Sequence, residues 1–226
     1  FGRHAAIASR RRRTHRGGAA PERFLGLSGQ GAETHARDGD GNLDLVGAVL
    51  ATAGSFVMWR GNGNGTFQGG VTYATGLGGS LNFDGQGFAI LDINEDGRSD
   101  FAFTTSGGNG VQTYFGQSDG TLTAGAVITM SAPNSLDVGD VNGDGRLDVV
   151  AMVGGTARSL INNGSTLSLG ASTTITGPSG TDVALADFDL NGTIDLVSRN
   201  HISGNFYYAS GNGTGTFGPS ITIGGT

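Results

Sequence analysis

Residues 140–148, DVNGDGRLD, decide how this chain is read. Side chains that carry oxygen stand at alternate positions, Asp140, Asn142 and Asp144, and Gly145 follows the third. If the backbone curls tightly here, the three side chains aim at one centre, and glycine supplies the conformational freedom for the curl. The Arg146 carbonyl, with its side chain pointing away, and the Asp148 carboxylate complete a cage of hard oxygen ligands. Three carboxylates in such a cage suit Ca2+ at about 2.3–2.6 Å and do not suit zinc or copper.

The pattern returns along the chain. DINEDGRSD (92–100) puts Asp92, Asn94, Asp96, the Arg98 carbonyl and Asp100 in the same roles. DFDLNGTID (187–195) supplies Asp187, Asp189, Asn191, the Thr193 carbonyl and Asp195, with Gly192 at the turn. DGDGNLD (38–44) is a shortened copy. Ala36 stands where the first acid belongs, leaving Asp38, Asp40, the Asn42 carbonyl and Asp44, so this loop is expected to be weak or empty. One such loop could be an Asx turn capping a strand end without metal. Three complete loops change that reading, because carboxylates held this close repel one another unless a cation sits among them. The closing acid comes at position nine rather than twelve, and strands rather than helices flank it, so these are not EF-hands.

The closing acids Asp44, Asp100, Asp148 and Asp195 are 56, 48 and 47 residues apart. A second mark follows each loop: GNGNGTFQGG (61–70), GQSDGTLTAG (116–125), NNGSTLSLGA (162–171) and GNGTGTFGPS (211–220). Two signals in constant order define a repeat. Within the third unit, SLDVGD (135–140), LDVVAMV (147–153), ARSLINN (157–163) and SLGASTTITG (168–177) read as four short strands between turns. FAILD (88–92), FAFTT (101–105), VQTYFG (111–116), VALAD (183–187), DLVSR (195–199), FYYAS (206–210) and FVMWRG (56–61) are their counterparts. No segment carries a 3.6-residue apolar stripe long enough for a helix. The expected fold is all-β: a β-propeller or propeller fragment of about four blades, each of four antiparallel strands. Units are expected at about 38–78, 79–132, 133–178 and 179–226.

Composition agrees with this. Of 226 residues 44 are Gly, close to three times the usual share of roughly 7%, and they cluster with Asn, Asp and Thr as turn chemistry does. The chain has no Cys, hence no disulfide and no thiolate site. Charge divides the chain. Eight of its 13 Arg lie in residues 1–37 against two acids, Glu22 and Glu33, while residues 38–226 hold 5 Arg against 17 acids. The basic segment 1–37 is either an arm for nucleic acid or an anionic surface or a leader outside the fold, disordered or foreign to it; the second is the reading adopted. The acidic body argues against nucleic acid as a partner and favours a divalent cation. No apolar run approaches the roughly 18 residues of a membrane-spanning helix. The Phe1 start marks a processed product or a fragment.

Catalytic constellations are absent. There is no G-x-S-x-G elbow, and GNGNG and GNGTG precede no helix, so they are hairpin turns rather than phosphate loops. His201 is the one His of the repeat region and reads as a surface residue. The acids outside the loops make no convincing glycosidase pair. Phe67 and Phe217 share one repeat position and read as packing between blades, whereas Trp59 and Tyr207 could instead present planes to a sugar.

The loops and the GNGxGTF turns resemble the FG-GAP/VCBS repeat family, the calcium-loop β-propellers related to the integrin α-subunit head. The resemblance spans about residues 38–224, is specific at 92–100 and 140–148, good at 187–195 and weak at 38–44. It implies Ca2+ at about three sites with a weak fourth, and a ring usually of six or seven blades. Further blades or self-association would then close the ring. It also implies a secreted, non-enzymatic module for extracellular recognition or adhesion, probing a glycan or an extracellular protein at a cell surface, in a bacterial setting. Its rivals are a non-catalytic propeller segment of a larger secreted polysaccharide-active enzyme and a purely structural surface repeat.

Overall fold

In the computed structural model the described residues are 7–8, 25–27, 32–34, 40–48, 54–77, 87–105, 108–175, 182–200 and 202–224. They form β-strands and turns only; no helix occurs among them. The first sheet runs in chain order through β1 (Ile7–Ala8), β2 (Leu25–Leu27), β3 (Ala32–Thr34), β4 (Leu45–Ala48), β5 (Ser55–Trp59) and β6 (Val71–Ala74). β7 (Phe88–Leu91), β8 (Asp100–Phe103), β9 (Gly110–Gly116) and β10 (Leu122–Thr129) make the second sheet. β11 (Ser135–Gly139), β12 (Asp148–Val153), β13 (Thr156–Asn162) and β14 (Leu167–Thr174) make the third. β15 (Asp182–Ala186), β16 (Asp195–Arg199), β17 (Phe206–Ala209) and β18 (Ile221–Gly224) make the fourth. Every pairing is antiparallel between consecutive strands, the meander of a propeller blade. Strands β1 to β3 come from the segment that the sequence reading set apart as a leader.

The blades stack face to face, which explains why the second strand of a unit is apolar without alternation. On β12, Val149 and Ala151 belong to the core shared with the second blade, and Val150 and Met152 to the core shared with the fourth. Both faces are buried, so both need apolar side chains. The outermost strands β10 and β14 each pair with a single strand, β9 and β13, and are mostly exposed after their first residue.

Three cores result. Val46, Phe56, Met58, Phe101, Phe103, Tyr114 and Leu122 join blades one and two, where the Phe56 and Phe103 rings stack at 4.3 Å. Leu91, Ile93, Val111, Leu136, Val149 and Leu160 join blades two and three. Val141, Met152, Leu185, Leu196, Tyr207 and Phe217 join blades three and four. Among the described residues no core joins blade four to blade one. Tyr207 is therefore a packing residue and presents no free plane.

The residue that ends each GxGTF-type turn is a plug reaching back to the preceding blade. Leu122, Leu167 and Phe217 are buried in the three cores in turn. Phe67, in the same repeat position, is 46% exposed because blade one has no described blade before it. The expectation that Phe67 and Phe217 both pack between blades thus holds for Phe217 alone.

Candidate metal centre

The acidic loops of the second, third and fourth sheets join the first strand to the second, and that of the first sheet lies between β3 and β4, in each case three strands before the outer end of the meander. Their local form follows from the sequence. The position-one carboxylate accepts backbone N–H groups from the turn it starts: Asp92 from Asp96 (3.1 Å) and Gly97 (2.8 Å), and Asp187 from Asn191 and Gly192 (3.0 Å each). Asp140 accepts from Gly143 (2.7 Å), Asp144 (3.1 Å) and Gly145 (2.9 Å). Positions four and six both take positive φ: Glu95 (59°) and Gly97 (83°), Gly143 (77°) and Gly145 (88°), Leu190 (62°) and Gly192 (90°). Sequence reasoning found the glycine at position six. It missed position four, where Glu95 and Leu190 accept a conformation that costs a side chain roughly 1–2 kcal/mol.

The closing acids Asp44, Asp100, Asp148 and Asp195 are wholly buried. Each staples its loop to the hairpin that follows the next strand. Oδ1 of Asp44 accepts the N–H of Gly61 (2.9 Å), of Asp100 that of Gly116 (2.8 Å), of Asp148 that of Asn162 (2.8 Å), and of Asp195 that of Gly211 (2.8 Å). Oδ2 reaches back to the loop itself, accepting Ile93 N–H (2.9 Å), Val141 N–H (3.1 Å) and Phe188 N–H (2.9 Å) in the second, third and fourth loops. Burial pushes the Asp100 carboxyl up to about 6, against the pull of these N–H donors, with Asp96 and Asp92 adding to the rise. Asp148 is pushed up for the same reason. A carboxylate in that condition gains from a nearby cation.

The fourth loop brings its acids together most closely. Ligand oxygens of Asp187, Asp189 and Asp195 lie within 4.8 Å of one another. Oxygens about 2.3–2.6 Å from one ion stand at most roughly 5 Å apart, so the spacing and the hard donor set both fit Ca2+. Tyr208, which sequence reasoning did not connect to the loop, donates its hydroxyl to Asp189 Oδ2 at 3.4 Å. Partial burial, then the carboxylates of Asp195 and Asp189, push that hydroxyl up to about 12.

Loops two and three differ from the expectation in two respects: among the described residues only the acids of the fourth loop gather within 4.8 Å, and the arginines take another direction. The arginine side chains do not point away. Arg146 folds over its loop, donating from Nη2 to Asp144 Oδ2 at 2.8 Å and from Nε to the Asn162 carbonyl at 3.1 Å. Arg98 does the same with Asp96 and with the Gly116 carbonyl, the latter at 2.8 Å. A guanidinium on a three-bond stem reaches a carboxylate two residues back, and the carboxylate is the strongest acceptor within reach. The two loops also touch. Asn162 donates to the Asp92 carbonyl at 3.4 Å, and Arg146 lies 3.6 Å from Glu95. In the first loop the Asn42 N–H and Nδ2 both donate to Asp40, at 2.7 and 2.8 Å. Asp38 and His201 lie outside the described residues.

Comparison with known proteins bears on the fold. Among the solved structures that match most of the chain are two with a similar fold. One is a lectin of Agrocybe aegerita described as recognising non-reducing terminal N-acetylglucosamine (TM-score 0.57, 19% identity, 87% of this chain and 53% of that one). The other is BBS1N in complex with ARL6DN (TM-score 0.54, 14% identity, 88% of this chain and 56% of that one). The chain thus spans about half the length of each. No curated protein matches it. The model of the FG-GAP-like repeat matches three times in overlapping succession, over residues 37–103, 92–151 and 140–198. Each match takes in two acidic loops, and the second and third loops are shared between neighbours. With the meander blades and the plug residues already in view, the chain belongs to the FG-GAP-like repeat family.

Proposed function

We propose that this chain is a Ca2+-stabilised β-propeller module for recognition outside the cell, with no catalytic role of its own. The observation that carries the reading is the convergence of Asp187, Asp189 and Asp195 within 4.8 Å, in a loop whose pattern recurs at 92–100 and 140–148. The metal would be held by Asp187, Asp189, Asn191, the Thr193 carbonyl and Asp195 in the fourth loop. Asp92, Asn94, Asp96, the Arg98 carbonyl and Asp100 serve the second; Asp140, Asn142, Asp144, the Arg146 carbonyl and Asp148 serve the third. Ca2+ would supply charge compensation to the carboxylates of each turn. The chain's own carboxylates keep the turn in the shape that binds it. Family membership supports an extracellular setting, where such loops meet millimolar calcium.

The test is a thermal melt of the chain in calcium, in magnesium and in chelator. A calcium-specific rise is the expected result, of about 2.7 kcal/mol per site at a free concentration a hundred times Kd. Identical melts would remove the metal reading.

A glycan is the ligand class proposed for the module, because a lectin stands among its fold neighbours. Binding to a glycan array supports it, and a blank array leaves an extracellular protein as the ligand. The further partner is another blade of the same type. Blade three receives the Phe217 plug beside Met152 and Ala157. The outward face of blade four offers Arg199 and Phe206 in those two places, and Phe206 (42%) and Ile221 (59%) remain exposed.

A further inference from the structure

We propose that the side chain at the seventh loop position sets how readily each loop takes a divalent cation. Arg98 and Arg146 act as internal counter-ions that the metal must displace, and Thr193 leaves the fourth loop free of this competition. The inference rests on the metal reading above and reaches past it, to the order in which the loops fill.

The three residues are equivalent in the repeat and in space. Each makes the same two contacts: one to the side chain at position five, and one to the carbonyl of the residue whose N–H is bound by the closing acid. For Arg146 these are Asp144 Oδ2 (2.8 Å) and the Asn162 carbonyl (3.1 Å). For Arg98 they are Asp96 Oδ2 and the Gly116 carbonyl (2.8 Å). For Thr193 they are Asn191 Oδ1 (2.5 Å) and the Gly211 carbonyl (3.2 Å). What changes is charge. In loops two and three a full positive charge occupies the position-five carboxylate oxygen, and the amide of Asn94 or Asn142 donates to that same oxygen at 2.9 or 3.0 Å. In loop four the position-five side chain is a neutral amide, its neighbour a hydroxyl. The three acids that converge within 4.8 Å are all there.

A cation approaching loop two or three meets a guanidinium already on one of its ligands, and like charges repel. The latch is releasable. Arg146 and Asp144 are 36% and 27% exposed at their side chains, and ion pairs at that exposure contribute little and are screened by salt. Arg146 also lies against Glu95 of the neighbouring loop, so its release in one loop alters the charge beside the other.

The test is calorimetric titration of the chelator-treated full chain with CaCl2 alone, at low and at high ionic strength. The wild type is expected to show one tight site, lost in D189A, and a weaker class. In R98M/R146M the weaker class tightens about three- to tenfold, and the gain shrinks in high salt. R146K keeps the charge and stays near the wild type. T193R weakens the tight site by a similar factor. A mere structural role for the arginines has the opposite sign, since loosened loops bind more weakly. Unchanged or weaker binding in R98M/R146M therefore overturns the proposal while leaving the metal reading intact. No heat from a wild type that melts cooperatively overturns both.

Discussion

Within one loop, two aspartates that look alike in the repeat have different work. Asp148 is buried and holds the N–H groups of Val141 and Asn162; Asp144 stands at the surface under Arg146. D148A orphans two buried donors, at about 1–3 kcal/mol each, and is expected to lower the urea midpoint in chelator, and further in calcium because the third loop also loses a ligand. D144A is expected to lower it in calcium only; an equal drop in chelator would remove Asp144 from the ligand set. Acidity separates the two kinds as well. The native state holds the Asp100 proton up to about pH 6, whereas the unfolded chain releases it near the ordinary 3.8. In chelator the stability owed to the protonated form is complete below about pH 4 and is lost as pH rises through 6. The advantage of the wild type over D100N should therefore narrow across that window. A gap that widens would reverse the assignment. Asp119 and Asp144, both held below the usual carboxylate range by hydrogen bonds to Thr121 and Arg146, act below this window and do not mask it.

At the level of the element, the unit of construction is a four-stranded meander with one plug. The plug is legible as a repeat position, but its energy is not, because that depends on the blade before it. L167A removes a side chain buried between blades two and three and is expected to cost about 2–5 kcal/mol in denaturant unfolding. F67A alters the same position on blade one, where the ring is half exposed, and should fall within about 0.5 kcal/mol of wild type. Comparable losses in both would mean that a surface covers Phe67. Strand reading from sequence reached β7 to β9, β11 to β13 and β15 to β17 within a residue or two, since strands buried on both faces are largely apolar, and it overran the end of β14 by three residues. It did not single out β6, β10 or β18. These outer strands are mostly exposed, so Thr, Ala and Gly can stand among isolated apolar residues in their ladders.

Across the described residues, three cores join four blades and none joins blade four to blade one. Met152, Ala157, Leu185 and Phe217 show how one blade closes on the next. Light scattering of the full chain over a range of concentration is expected to show a reversible increase in mass that F206S reduces. A constant monomer mass would exclude a second copy as the occupant of blade four's outer face. In the same measurement calcium should leave the mass unaltered, because the fourth loop closes at Asp195, the first residue of β16, whereas Phe206 pairs with Arg199 at the other end of that strand.

The sequence by itself determined the repeat, the all-β class, the strand-flanked acidic loops and the family. All of these rest on spacing along the chain, where two residues apart means one side of a turn and about 48 means one blade. Only the tertiary structure decided which carboxylates are staples, where the arginine at position seven goes, and which plug is buried. Those outcomes depend on partners far along the chain, such as Asp100 with Gly116 and Asn162 with Asp92, separated by 16 and 70 positions. Burial and charge are properties of what surrounds a residue, and the surroundings exist only once the blades have stacked.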